Sequence, residues 1–479
     1  MLRGTSVGLR AVRLGLCAIG ILWYFLRFAG AGVSAFFSTD DLMNLSGYLE
    51  TPFGDLLRAN FTFWSGAYRP LGGIFYRSVF ALAGFQPVVF HLICFALLLL
   101  NMYLVFRIAV ALAGSHEIAL LTTLIFAYHP NLSDLYFSVG TIYDILCFTF
   151  YCLAFLTYLN SGRWLAFCAL FSLALNAKEM AISLPLVLVT HDIIFSNRRL
   201  TSRRRYAYIA SAFFIAAVFG AAKMLAKNPF TGQPAYTPVL TVSRYLLTAN
   251  AYMGEVFYHR PWFTSMRTIL IYIAAISLGL VMRRRVMVFA ALFLLLTALP
   301  VAFIPPRGGY VLYLPMVGWA LYAATLVSSL RRRFLTRAFI RGLASTSLKA
   351  RKRASLAIQF AVFILCTVLL IKIHRSGHRG VNSSDIGANR TLRSAFAQIS
   401  KMHPVIPRDT SILFLNDPFP RNDFTMLYLI QLGYNDHSLA VIRKKNFAPG
   451  WHENYSDYDL IFEFADGRFQ EIYSRLGQR

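Results

Sequence analysis

Residues Val12 to Gly30 read V-R-L-G-L-C-A-I-G-I-L-W-Y-F-L-R-F-A-G, and Ser38 to Asn44 follow as S-T-D-D-L-M-N. The first stretch is long enough to cross a hydrocarbon layer of ~30 Å as a helix. It is too long for the core of a signal peptide and has no clear small-residue cleavage site, so a retained span is expected. Comparable apolar runs recur near 88–110, 117–130, 139–159, 163–177, 180–196, 206–225, 266–282, 286–304, 311–330 and 354–372. Hydrophobic residues make up 57% of the chain and charged ones only 14%, where a soluble chain would carry about 25% charged. The reading is an α-helical polytopic membrane protein with about eleven transmembrane helices.

A net charge of +26 raises the question of nucleic acid, but its distribution answers it. The basic clusters lie between apolar runs: Arg198, Arg199 and Arg203 to Arg205, then Arg283 to Arg285, then Arg331 to Arg333 with Arg337, Arg341, Lys349, Arg351 and Arg353. That is the pattern of cytoplasmic loops, which also meet anionic membrane lipid. No nucleic-acid partner is expected. With Arg3, Arg10 and Arg13 inside, eleven spans keep every cluster inside and put the C-terminal part outside. The six cysteines (17, 94, 147, 152, 168 and 366) all sit in apolar runs, which predicts neither a disulfide framework nor a thiolate metal site.

Three long stretches then fall outside. Residues 34–87 carry the acid pair. Residues 226–265 hold the turn P-F-T-G-Q-P at 229–234 and a mixed apolar and polar segment suited to an interfacial helix. Residues 373–479 read as a small α/β domain, with strands near 411–416 and 438–442, a helix near 424–432, and a terminal hairpin around Asp466-Gly467. The domains expected are therefore 1–372 and 373–479.

The residues that carry chemistry gather on that outer side. Asp40 and Asp41 suit a helix N-cap and first turn. They equally suit a general base at a membrane face, and neighbouring helix positions point apart, so one of them is expected to act. Arg69, in Y-R-P-L after Phe61, Phe63 and Trp64, is either a snorkelling interfacial arginine or a fork for a lipid phosphate. His129-Pro130 and Asp134 close one apolar run, and Asp144 opens the next. Acids at that depth usually face a polar cavity. Lys178-Glu179 interrupts two abutting runs, as a self-neutralising turn or as a phosphate-binding lysine with an orienting acid. Arg307 precedes two glycines that permit close backbone approach. The sequence has no H-E-x-x-H, no phosphate-binding P-loop and no G-x-S-x-G elbow.

Taken in order, D-D after the first run, Y-R-P-L before the second, H-P-x-x-x-acid, A-K-E-M and Y-L-P-M-V-G resemble the GT-C membrane glycosyltransferases that use polyprenyl-phosphate sugars. The likeness runs over about 1–330 and is nearest to the protein O-mannosyltransferases and the transmembrane proteins with tetratricopeptide repeats. It implies a catalytic base at Asp41 or Asp40. It implies a donor phosphate held by Arg69, Lys178 and Arg307, with His129, Asp134, Asp144 and Glu179 lining the cavity and acceptor site. Asp134 stands where relatives often have Glu, Arg307 lies about three residues early, and no tetratricopeptide array follows. The implied activity is hexosyl or pentosyl transfer from a polyprenyl-phosphate sugar to a hydroxyl or amine of a protein, glycan or lipid, at a periplasmic or luminal site. No cofactor is obligatory; a divalent metal is compatible with the chemistry, but nothing in the sequence calls for one. An integral membrane protein is expected, with the bacterial inner membrane preferred to the endoplasmic reticulum. The alternative is a lipid or solute transporter or flippase, against which stand the lack of matching halves and the clustering of charge on one face.

Overall fold

The computed structural model describes residues 4–63, 69–160, 162–195, 203–225, 237–258, 262–336, 348–447 and 454–476. Trp64, Arg198, Arg199, Arg337, Arg341 and the turn at 229–234 lie outside them. Among the described residues the chain is mostly helical, with a small C-terminal sheet.

Helix α1 (Gly4–Ala29) continues as a tight turn at Gly30–Ser34. The stretch 34–87 is itself helical: α2 (Thr39–Glu50), α3 (Phe53–Ala59) and α4 (Pro70–Ala83). There follow α5 (Pro87–Ala113), α6 (His116–Ala127), the single turn α7 (Asp134–Phe137), α8 (Ile142–Leu159), α9 (Trp164–Ala177), α10 (Leu184–Phe195) and α11 (Arg203–Leu225). Then come α12 (Val242–Val256), α13 (Ser265–Val281), α14 (Arg285–Ala302), α15 (Met316–Arg331) and α16 (Leu348–Met402). Start signals are local. Pro70 and Pro87 open helices where a missing N–H is harmless. Ser115 and Thr241 cap α6 and α12.

Among the described residues six helical stretches are long and apolar enough to cross a membrane: Ala11–Ser34, Pro87–Ala113, Val139–Leu159, Arg205–Leu225, Arg285–Ala302 and Ala354–Gly377. Each coincides with an expected run. The other five runs also hold helix, but shorter. The run at 117–130 falls on α6, which has only 12 residues, about 18 Å at the α-helical rise. The sequence overcounts helix there because Tyr128 and His129 are extended and a 3-10 turn follows at Pro130. The run at 180–196 opens with a 3-10 turn at Glu179–Ser183 before α10. The 311–330 run opens likewise at Gly309–Leu312.

Two residues of the basic clusters are held by buried or half-buried acids. Arg331 forks onto Glu117, with Nε to Oε1 at 2.6 Å and Nη2 to Oε2 at 2.9 Å, both side chains buried. Arg205 meets Asp192 at 3.1 Å. The acid pair, Arg69 and Lys178 have other partners, described below.

Helix α16 runs unbroken through 372, where a domain boundary was expected, and carries the chain into the C-terminal domain. There β1 (Ser411–Phe414), β2 (Ala440–Arg443), β3 (Leu460–Ala465) and β4 (Arg468–Ser474) form one sheet in the order β2-β1-β3-β4, and α17 (Thr425–Gly433) joins β1 to β2. β1 is parallel to both neighbours. β3 and β4 form a hairpin closed by Asp466 and Gly467, both at positive φ as a two-residue turn of this hand requires. Ile412, Phe414, Met426, Leu429, Leu460 and Phe462 fill its core.

Candidate active site

Helix α2 begins with a capping box. Ser38 Oγ accepts from Asp41 N at 3.2 Å, and Asp41 Oδ2 accepts from Ser38 N at 2.7 Å. The other oxygen, Oδ1, accepts from Ser138 Oγ at 3.0 Å and from the Gly140 amide. Asp41 is therefore wholly buried and tied to the turn before α8. Burial pushes its carboxyl up to about 6, against hydrogen bonds from Ser38, Ser138 and Gly140 that favour the charged form. Neighbouring helix residues diverge by about 100°. Asp40 accordingly faces out and is exposed.

A second group forms around Arg69, which takes the left-handed conformation (φ 45°) ahead of Pro70. This aims its guanidinium at Glu179, with Nη2 to Oε1 at 2.6 Å and Nε to Oε2 at 3.3 Å. The Tyr143 ring lies beneath it, its centroid 5.1 Å away. Lys178 is extended at the end of α9. Its Nζ donates to Asp144 Oδ1 at 2.6 Å and sits 4.9 Å from the centre of the Tyr310 ring. Lys178 and Glu179 are adjacent in sequence, yet their close ion pairs are crosswise, one to α8 and one to the start of α4. Burial alone would raise the Glu179 carboxyl; Arg69 and Lys178 outweigh it and hold the group below the usual carboxylate range. Tyr143 Oη donates to Tyr48 Oη at 3.2 Å, which donates to Arg69 O at 3.4 Å. The network thus runs from α2 through α8 to the α9–α10 turn.

The remaining expected residues build the wall beside it. His129 is buried and stacked on Tyr258 at 4.3 Å. Its Nδ1 accepts from Asn131 N at 3.3 Å, so Nε2 is assigned the proton and donates to Val256 O at 3.3 Å. That is a structural post, not an open base. The turn 305–309 packs on it. A side chain at Gly309 would strike Asn131 O at 1.7 Å, and one at Gly308 would lie 3.3 Å from Asp134 Oδ2. Gly309 thus permits close approach to the Asn131 backbone, and Gly308 to the Tyr310 ring and Asp134. Arg307 is partly buried, and its amide donates to Tyr252 Oη at 3.4 Å.

Several participants escaped the sequence reading. Tyr48, Tyr143 and Tyr310 were not singled out in the sequence. Ser138 and Gly140 were unmarked, although a polar S-V-G inside an apolar stretch was a usable signal. Lys223, near the end of α11, acts electrostatically on both Glu179 and Arg69; a lone lysine closing a span could have pointed to it. His374 of α16 bonds through both ring nitrogens to the Tyr24 and Tyr258 hydroxyls, and so fastens α16 to α1 and to the chain after α12.

The stretch that contains most of this network carries a family signature. Residues 68–221 match the dolichyl-phosphate-mannose-protein mannosyltransferase family. This is a GT-C fold family, the class that the spaced motifs resemble. The mannosyltransferase match takes in Arg69, His129, Asp134, Asp144, Lys178 and Glu179; Asp40, Asp41, Lys223 and Arg307 lie beyond it. It supports a membrane glycosyltransferase that works from a dolichyl-phosphate sugar. No curated protein matches the chain.

Proposed function

We propose that the chain transfers a hexosyl or pentosyl group from a polyprenyl-phosphate sugar to an acceptor hydroxyl or amine at the extracytoplasmic face. The observation that carries this reading is the crossed pair of ion pairs, Arg69–Glu179 and Lys178–Asp144, inside the segment with mannosyltransferase character. Two cations and two acids at such close quarters form a preorganised electrostatic patch, and Lys223 adds a third cation to it. In the reaction the acceptor attacks the anomeric carbon, the bond from that carbon to the phosphate oxygen breaks, and polyprenyl phosphate leaves with the electron pair. Arg69, Lys178 and Arg307 are assigned to the charge that grows on that phosphate.

Asp40 is assigned as the base that takes the acceptor's proton. Its exposure supports this role, whereas Asp41 is engaged as the cap that orients it. His129, Asp134, Asp144 and Glu179 act by shaping the cavity and holding the cations. In this reading the eleven helical runs all lie within the membrane, the short ones being lengthened by the turns that bear the site residues. The C-terminal domain is extracytoplasmic, in a bacterial inner membrane by preference. Arg69→Ala tests the donor assignment: transfer at limiting donor should fall by about 10-fold or more, the value of a lost charged hydrogen bond. Unchanged transfer in folded protein would remove Arg69 from the donor site.

A further inference from the structure

Helix α17 of the C-terminal domain packs directly on α2, the helix whose first turn holds Asp40. The Thr425 hydroxyl donates to the Thr39 hydroxyl at 3.3 Å, one residue before Asp40. Other contacts fix the seat. Arg393 Nη2 donates to Ser34 O at 3.0 Å, Asn389 Nδ2 donates to Phe137 O at 3.3 Å, and the Phe85 and Phe396 rings meet edge to face at 5.3 Å.

The element that this seat brings to Asp40 is the loop 415–424, between β1 and α17. It leaves the carboxyl end of β1. The strands on either side, β2 and β3, are both parallel to β1, and the chain reaches them in opposite directions across the sheet. In open α/β sheets that position forms a crevice where ligands bind. The loop is clamped from beneath. Buried Asp417 takes a fork from buried Arg443, at 2.9 and 2.7 Å, and Lys445 Nζ donates to Asp417 O at 2.8 Å. Arg443 also donates to Pro420 O at 2.9 Å. On this rigid base Phe424 stands 60% exposed, with exposed Arg421 and Asn422 beside it. The Phe424 ring meets Tyr428 on one side, at 6.2 Å between centroids, and leaves its other face to solvent, one residue from the contact with Thr39; Arg421 Nη2 donates to Phe447 O at 3.3 Å, which holds the planar group beside it.

We infer that the loop 415–424 is the acceptor wall of the transfer site, and that the acceptor is a glycan whose sugar ring stacks on Phe424 while Arg421 and Asn422 bind its hydroxyls. This rests on the transferase reading above. A pyranose presents a C–H face to an aromatic ring and a rim of hydroxyls to planar side chains. A peptide would call instead for side-chain grooves or a free strand edge, and the free edges, β2 and β4, run along the sides of the sheet rather than its carboxyl end. The acceptor hydroxyl oxygen bonds to the anomeric carbon as the phosphate bond breaks, and its proton passes to Asp40.

The test uses full-length protein, polyprenyl-phosphate mannose, and two acceptor probes: a set of octyl glycosides and a Ser/Thr-rich peptide. Release of polyprenyl phosphate to water is measured without acceptor, and transfer with it. We expect an octyl glycoside to accept the sugar. Phe424→Ala and Arg421→Ala should each raise its KM by about 10-fold, the scale of one aromatic or charged contact, in protein whose melting temperature is that of wild type. An unchanged KM in both variants, transfer to the peptide instead, or transfer to neither probe overturns the inference. Wild-type protein that releases no polyprenyl phosphate, even to water, overturns the transferase reading itself.

Discussion

Replacing Asp40 by Asn removes a proton acceptor and almost no volume. Asp40 is exposed at the start of α2, so Asp40→Asn should shift stability by no more than about 0.5 kcal/mol, as surface substitutions usually do. Loss of a general base removes about 10²–10⁴-fold in rate, or about 3–5 kcal/mol of barrier. Asp41→Asn is the internal control. Three groups donate to that carboxylate: Ser38 N, Ser138 Oγ and Gly140 N. An amide can keep the bonds to one oxygen, but its NH₂ then confronts Ser38 N, and a stranded buried donor costs about 1–3 kcal/mol. Against that, Asn carries no charge to desolvate. The folded carboxyl is raised from 3.8 to about 6, so the stability it contributes is full below its unfolded value and is lost as pH rises through about 6. Wild type should therefore lose ground to Asp41→Asn in thermal unfolding as pH rises from about 4 through about 6. The assays are release of polyprenyl phosphate and melting temperature on the same preparations. If Asp40→Asn is folded and within a few-fold of the wild-type rate, while Asp41→Asn is inactive, the assignment of the two acids is reversed.

Other outcomes follow from the same geometry. Lys178 and Asp144 are 5% and 7% exposed, so Lys178→Ala leaves a buried acid without its ion-pair partner. It should cost about 3–5 kcal/mol, and Lys178→Met with Asp144→Asn should recover most of the melting temperature but not the activity. Gly309→Ala places a methyl group 1.7 Å from Asn131 O, so a fall of several degrees in melting temperature is expected, together with weaker transfer as the 305–309 turn is forced off the wall. Reporter fusions after Arg205, Arg285 and Arg479 should read inside, inside and outside if eleven runs cross the membrane; an inside signal from the last contradicts that count.

Much of the architecture was legible because membrane insertion leaves strong marks. Apolar length located the six long spans, and each remaining run also proved helical. Period-two strands and the Asp466-Gly467 turn gave the C-terminal hairpin. What the sequence could not give was helix length inside an apolar run, since Tyr128, His129 and Lys178 are as compatible with a helix as with the extended conformation they adopt. The candidate site was legible as a list of charges but not as pairs. Arg69 and Glu179 are 110 residues apart, and nothing local says that Lys178 should reach Asp144 instead of its neighbour. The different surroundings of Asp40 and Asp41 were equally hidden, because they depend on Ser138 and Gly140, which approach Asp41 only in the folded chain.

The central claim is transfer from a lipid phosphate, and one measurement addresses it. Purified full-length protein in lipid nanodiscs is incubated with polyprenyl-phosphate mannose, and free polyprenyl phosphate is quantified over time for wild type and for Asp40→Asn. Time-dependent release by wild type, reduced at least about 10²-fold in the variant, is the predicted result. Release at the same rate from both, or from neither, would contradict it.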